Sequence, residues 1–167
     1  CVYVKKLEGM DAMNYIRDNH KDGEKYYQQI VSNAIIHDKK FGELIVLATA
    51  GDITEAVIES AGIANFDSKI VIDATNPISH AKPPVNSVLQ FFNTAAGSLM
   101  EHLQNLVPDA KFVKAFNSVG NALMYKPDLP GGKPTMFICG NDDLAKKTVI
   151  EILDAFGWET EDMGQAN

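Results

Sequence analysis

The chain is poor in arginine, in cysteine and in positive charge. Among 167 residues there is one arginine, Arg17, and 15 basic side chains face 22 acidic ones, for a formal charge of −7. Nucleic-acid binding depends on clustered cations that neutralise phosphates, so this balance argues against a nucleic-acid partner. No apolar run approaches the ~18 residues that span a bilayer, which points away from a membrane role. Two cysteines, Cys1 and Cys139, do not make a disulfide framework. Cys139 sits in an apolar run and reads as a small buried hydrophobe, which fits a reducing, cytoplasmic setting. The opening Cys1–Lys6 lacks the charged-then-apolar pattern of a secretory leader. The four histidines, His20, His37, His80 and His102, match no zinc spacing, so no metal is expected. A Gly-x-Ser-x-Gly elbow and a Cys–His pair are missing too, as is any Gly-x-Gly-x-x-Gly turn.

What remains suits one soluble globular domain over residues 1–167. A chain of this length buries roughly 70% of its unfolded surface and needs no staple. Four short apolar runs stand out: Leu44–Thr49, Lys69–Thr75, Lys111–Phe116 and Thr135–Cys139. Each is β-branched or aromatic and bounded by Gly, Pro, Asn or Asp. The first two are apolar at consecutive positions, as strands covered on both faces of a parallel sheet are. Helical patterns lie between them. Over Asp52–Gly62 they place Ile53, Ala56, Val57 and Ser60 on one face, with Asp52 as cap and Glu55 as its capping-box partner. Over Ala95–Leu106 they space Leu99, Leu103 and Leu106. Over Asp142–Phe156 they line up Leu144, Val149, Ile152, Leu153 and Phe156, with Gly157 as the stop. A last strand falls near Trp158–Met163. Strand–helix alternation predicts an α/β fold: a Rossmann-like, doubly wound, mostly parallel sheet flanked by helices. The first forty residues are divergent. They read as a strand at Val2–Val4, a helix at Met10–Asn19, a strand at Tyr27–Val31 and a short helix at Ala34–Lys40.

Ligands of such sheets collect outside the carboxyl ends of the strands. The four exits read Ala48-Thr49-Ala50-Gly51-Asp52, Asp73-Ala74-Thr75-Asn76-Pro77, Phe116-Asn117-Ser118-Val119-Gly120 and Gly140-Asn141-Asp142. Small, hydrogen-bonding residues suit a flat ligand lying against backbone; they also suit ordinary turns and caps. Asp73 ends a buried strand and reads as a brace for the following loop. Asp142-Asp143 reads as a helix cap, not a metal pair. The proline-rich stretch Ile78–Thr94, which carries His80, is long enough for a lid.

Four strings, in this order, carry a resemblance: Phe41-Gly42-Glu43 before Leu-Ile-Val-Leu-Ala-Thr, then Asp73–Pro77, then Lys114-Ala115-Phe116-Asn117-Ser118, then Gly131–Phe137. Together they resemble the NADP oxidoreductases that depend on the deazaflavin coenzyme, over Phe41–Gly164. The resemblance implies NADP across the strand ends, with Ala48, Thr49 and Ala50 at the nicotinamide ribose and Asn76 and Pro77 flanking the nicotinamide. It further implies Ala115, Asn117 and Ser118 near the place where two rings stack. Lys5 and Lys6 fall where such enzymes hold the 2′-phosphate, or else form a solvated strand end. The implied reaction is hydride transfer between NADP(H) and a deazaflavin, a flavin or a small organic partner. Stacked rings need positioning more than a proton shuttle, so no catalytic residue is assigned.

The family's glycine-rich turn, which holds the pyrophosphate on backbone N–H groups, has no counterpart. The sequence reads as a member without its first strand, that turn and the family's final part. A sheet lacking a central strand would bare an edge, so either a partner chain (a homodimer) or a rearranged N-terminal region is expected to cover it. The competing reading is a non-catalytic nucleotide-binding or interaction domain that keeps the scaffold.

Overall fold

The computed structural model describes residues 35–38, 42–92 and 97–166. The elements expected at Val2–Val4, Met10–Asn19 and Tyr27–Val31, and the lysines Lys5 and Lys6, lie outside these residues.

Alternation along three parallel strands sorts apolar side chains into two layers. The strands are β2 (Gly42–Leu47), β3 (Ile70–Asp73) and β4 (Lys111–Lys114). Ile45, Leu47, Val71 and Phe112 point to one side, where Ile58 of α1 (Thr54–Ala61) and Leu99, Met100 and Leu103 of α2 (Leu99–Leu106) cover them. Leu44, Ile72 and Val113 point to the other, under Ala145, Val149, Ile152 and Leu153 of α3 (Asp143–Ala155). Burial on both faces is why the runs Leu44–Leu47 in β2 and Ile70–Ile72 in β3 are apolar without a break. The sheet has six strands in sequential order, from β1 (Ile35–Asp38) through β5 (Thr135–Gly140) to β6 (Glu159–Asp162). Strands β2, β3 and β4 are parallel, and β6 is parallel to β5. With helices on both faces, the Rossmann-like, doubly wound architecture holds.

Several local expectations are corrected. Ala34–Lys40 reads as a helix, yet Ile35–Asp38 is a strand, antiparallel to β2 with Ile35 opposite Ile45 and Asp38 opposite Gly42. Its β-branched pair lies along the otherwise open edge of β2, and that pairing outweighs local helical spacing. The edge expected to lie bare is thereby covered by this chain itself. On α1 the face named from the sequence is the wrong one: Thr54 and Ile58 are buried, whereas Ile53 is 52% exposed. Residues Gly51–Ile53 form a 3-10 turn, which shifts the phase of the helix that follows. Asp52 does not cap α1; its carboxylate receives His80 Nδ1 at 2.8 Å. On α3, Leu144 is 72% exposed, because the buried stripe runs from Ala145 through Val149 to Ile152 and Leu153. Cys139 is only half-buried, on the same face of β5 as the exposed Thr135 and Phe137.

The largest correction concerns β5, which runs antiparallel to β4, with Val113 opposite Gly140 and Lys114 opposite Cys139. A parallel return needs a crossover long enough to carry the chain back, usually a helix. Between β4 and β5 there is only the 3-10 turn Asn121–Leu123. Gly140-Asn141-Asp142 therefore leaves the sheet at the edge opposite the other three exits.

Caps agree better with the sequence. Asp142 accepts the Ala145 N–H at 2.7 Å, and Gly157 follows α3 at φ +90°. Helix α2 starts at Leu99 behind a capping box, in which the Ser98 hydroxyl accepts from Glu101 N and the Glu101 carboxylate accepts from Ser98 N. Lys146 ties α3 to β6 through Asp162 at 2.9 Å and also meets Asp143.

These ties set a pH dependence. Backbone donation from Ala145 holds the Asp142 carboxyl below its ordinary range, and the Lys146 ammonium does the same for Asp162. A carboxyl lowered on folding stabilises above its unfolded pKa of ~3.9, and that stability drains as pH falls through the folded value. The melting temperature is expected to hold down to about pH 5 and then drop. In Asp142→Asn the drop should be shallower, as acid titration followed by circular dichroism will read.

Candidate functional site

Because β2, β3 and β4 are parallel, their three exits open on one edge and there knit together. Ala74 N donates to Leu47 O at 2.8 Å, and Ala115 N to Asp73 O at 3.2 Å, so the ladder continues past the strands. Beyond it, the Asn76 amide donates from Nδ2 to Asn117 O at 2.7 Å. Asn117 Nδ2 returns toward Asn76 Oδ1 at 3.5 Å, a distance too long to occupy that oxygen fully. The pair thus keeps a spare acceptor on Asn76 and spare donors on Asn117, side by side and half-buried.

The exits are brought this close by a glycine. A Cβ on Gly51 would lie 2.1 Å from Asn76 O, so the turn after β2 rests directly on the backbone after β3. Thr49 and Thr54 share a hydroxyl hydrogen bond at 2.7 Å, and Thr54 Oγ1 also donates to Ala50 O at 3.0 Å. Ala48 and Thr49 are half-buried and Ala50 is exposed; these three form the open floor beside Gly51.

Under the shelf lies a buried ionic pair. Asp73 is fully buried; its Oδ1 accepts both Thr75 N at 2.9 Å and Thr75 Oγ1 at 2.7 Å. Its Oδ2 accepts Lys114 Nζ at 3.0 Å, and the same ammonium donates to Thr75 O at 2.6 Å. Asp73 therefore braces the loop after β3, as the sequence suggested.

After β4 the chain makes a forced turn. Phe116 is buried at φ +62°, a region that bulky side chains rarely adopt. Its ring lies in the layer under α3, 6.1 Å from Phe156, and its N–H points to Met136 Sδ at 3.3 Å. The turn points Asn117 O at Asn76. The proline-rich loop is itself ordered as a hairpin. Ile78 bridges Phe91, Val85 bridges Val88, and Asn86 and Ser87 between them are both left-handed, as a tight hairpin turn needs. His80 ties this hairpin to Asp52 at the β2 exit.

The structure thus brings Ala48, Thr49, Ala50, Asn76, Pro77, Asn117 and Ser118 to one edge. Ala115 belongs to the same segment but is fully buried in the layer under α3, so its side chain serves the core. Sequence reasoning missed Gly51, Lys114 and Phe116. The legible signal for Lys114 was a cation closing a buried strand, and for Gly51 a glycine directly after a run of small residues. Among the described residues no three His, Cys, Asp or Glu side chains gather as a metal site, and no helix is long and apolar enough to cross a membrane.

No family model matches the chain. A curated F420-dependent NADP reductase of Methanocaldococcus jannaschii is 30% identical over 113 residues, which are 68% of this chain and 49% of that protein. Among solved structures, a candidate F420-dependent NADP reductase from an Arthrobacter species aligns with a TM-score of 0.66 at 31% identity, over 83% of this chain and 59% of that one. A hypothetical protein from Sinorhizobium meliloti gives a TM-score of 0.62 at 27% identity, over 74% and 57% of the two chains. The chain spans about half the length of the curated relative it matches.

Proposed function

We propose that this three-strand shelf holds the nicotinamide end of NADP, in a reductase that exchanges hydride with a deazaflavin coenzyme; the likeness to F420-dependent NADP reductases supports the reading. The observation that carries the reading is the Asn76–Asn117 pair. A carboxamide has one acceptor and one donor edge, and the spare acceptor on Asn76 and spare donors on Asn117 complement both. Ala48, Thr49 and Ala50 leave room for the ribose, and Pro77 and Ser118 border the ring. NADP when bound supplies the hydride; the protein's part is to seat the ring flat, fix its amide and limit water. The deazaflavin, rather than a flavin or a small organic acceptor, is the second partner on the strength of the relatives' activity. Cytoplasmic location and self-association stay part of this proposal.

Titration with NADPH, followed by nicotinamide fluorescence and by thermal melting, tests the reading. Binding tighter than ~100 μM should raise the melting temperature by mass action, with about 2.7 kcal/mol gained at a hundredfold excess over Kd. A flat response would leave the scaffold without its cofactor, the competing reading. Asn76→Ala removes one charge-neutral hydrogen-bond partner, worth about 1 kcal/mol, so Kd should rise roughly five- to tenfold with the far-ultraviolet spectrum unchanged. Equal affinity in the variant removes Asn76 from the site.

A further inference from the structure

The Asp73–Lys114 pair occupies a place where apolar side chains would serve the fold as well. Leu47, Asp73, Lys114 and Cys139 stand in one row across the sheet, each the register partner of the next. Asp73 is fully buried and the Lys114 side chain is 17% exposed, so both charges have lost most of their water. Apolar residues of similar volume often replace such a pair without loss of stability. The contacts show what the pair does instead. Thr75 is clamped on both sides, its N–H and hydroxyl by Asp73 and its carbonyl by Lys114. The Thr75 carbonyl belongs to the same peptide plane as the Asn76 N–H, so fixing it fixes the start of Asn76. Asp73 and Lys114 each lie three residues before the asparagine that their strand carries onto the shelf. The ionic rung and the Asn76–Asn117 rung therefore join the same two exits, one above the other.

We infer that Lys114 is a positioning residue: anchored in the Asp73 carboxylate, it locks the Thr75–Asn76 peptide and so sets the angle at which the Asn76 amide meets its ligand. The inference rests on the NADP reading for the identity of that ligand, but not for the locking itself. Lys114 touches Asp73 and Thr75, and acts on the shelf through them.

Lys114→Met alone would strand a buried carboxylate and lose the fold, so the informative variant is the double replacement Asp73→Leu with Lys114→Met. It should melt within a few degrees of the wild type. NADPH should bind it about tenfold more weakly, and the Asn76 side-chain amide resonances in a nitrogen–proton spectrum should shift toward free-amide positions while core methyl resonances stay put. Lys114→Arg on the wild-type background, which keeps a cation within reach of Asp73 and Thr75, should hold affinity within about threefold of the wild type. A double variant with wild-type affinity and unmoved Asn76 resonances overturns the inference. Should the wild type itself ignore NADPH, the ligand reading falls, and the Asn76 resonances decide alone: movement upholds the locking, and no movement sinks it.

Discussion

Gly51→Ala should lower the stability of the fold by roughly 3 kcal/mol, at the upper end for overpacking, and weaken NADPH binding at least tenfold. The added carbon would sit 2.1 Å from Asn76 O, 2.9 Å from Asn76 C and 3.0 Å from Leu99 Cδ2. The first two are backbone atoms, and backbone cannot swing aside as the tip of a long side chain can. Relief requires the turn after β2 to part from the strand exit after β3. Asn76 would then move away from Asn117 O, the bond that organises the shelf. Stability and binding should therefore fall together. Urea unfolding followed by circular dichroism will show a lower midpoint with an unchanged slope. Gly120→Ala is the control, since a Cβ there meets nothing within 4 Å and its φ is −70°. If both variants unfold at the wild-type midpoint, the two exits are not in contact.

Phe112→Ala should cost still more, about 4 kcal/mol. Phe112 is the largest of the fully buried side chains among the described residues, packed in the layer that joins β2, β3 and β4 to α1 and α2. Removing its ring takes away the transfer energy and leaves a void that rigid neighbours cannot close. Domains are stable by only about 5–15 kcal/mol, so one ring carries a large share of the total. The melting temperature should fall by roughly 15 °C. The site should survive below that melt, because Phe112 sits at the second position of β4, inside the helix-covered layer and well before Asn117 and Ser118; its N–H contact is to Gln104 on α2. NADPH affinity measured well below the melt should match the wild type, which separates core from site.

What the sequence disclosed, and what it hid, follows from the range of the forces involved. The strands Leu44–Leu47 and Ile70–Ile72 were legible because double-faced burial writes itself as an unbroken apolar run. Helix α3 was legible because Asp142 and Gly157 are local signals at its two ends. The direction of β5 depends on what the chain does between Phe116 and Pro134. The lack of any helical period there was the available sign that no crossover brings the chain back. Strand β1 is defined by the edge it covers, which four residues cannot announce. The buried face of α1 depends on a 3-10 turn that moves its phase by a fraction of a turn. At the site, the small residues around Thr49, Asn76 and Asn117 pointed to the right edge. Gly51 and Lys114 left only faint signals and the left-handed Phe116 none, because the role of each is defined by an atom from another strand or its exit.

The junction between β4 and β5 rests on two residue pairs, whereas β3 meets each of its neighbours through four. Few main-chain bonds thus hold β5, β6 and α3 to the parallel strands; the oily layer shared with Leu44 and Ile72 supplies the adhesion. That kind of adhesion fades on chilling, while hydrogen-bonded ladders are less affected. Near freezing, this seam is where the molecule is expected to open first, which amide hydrogen exchange on chilling will read.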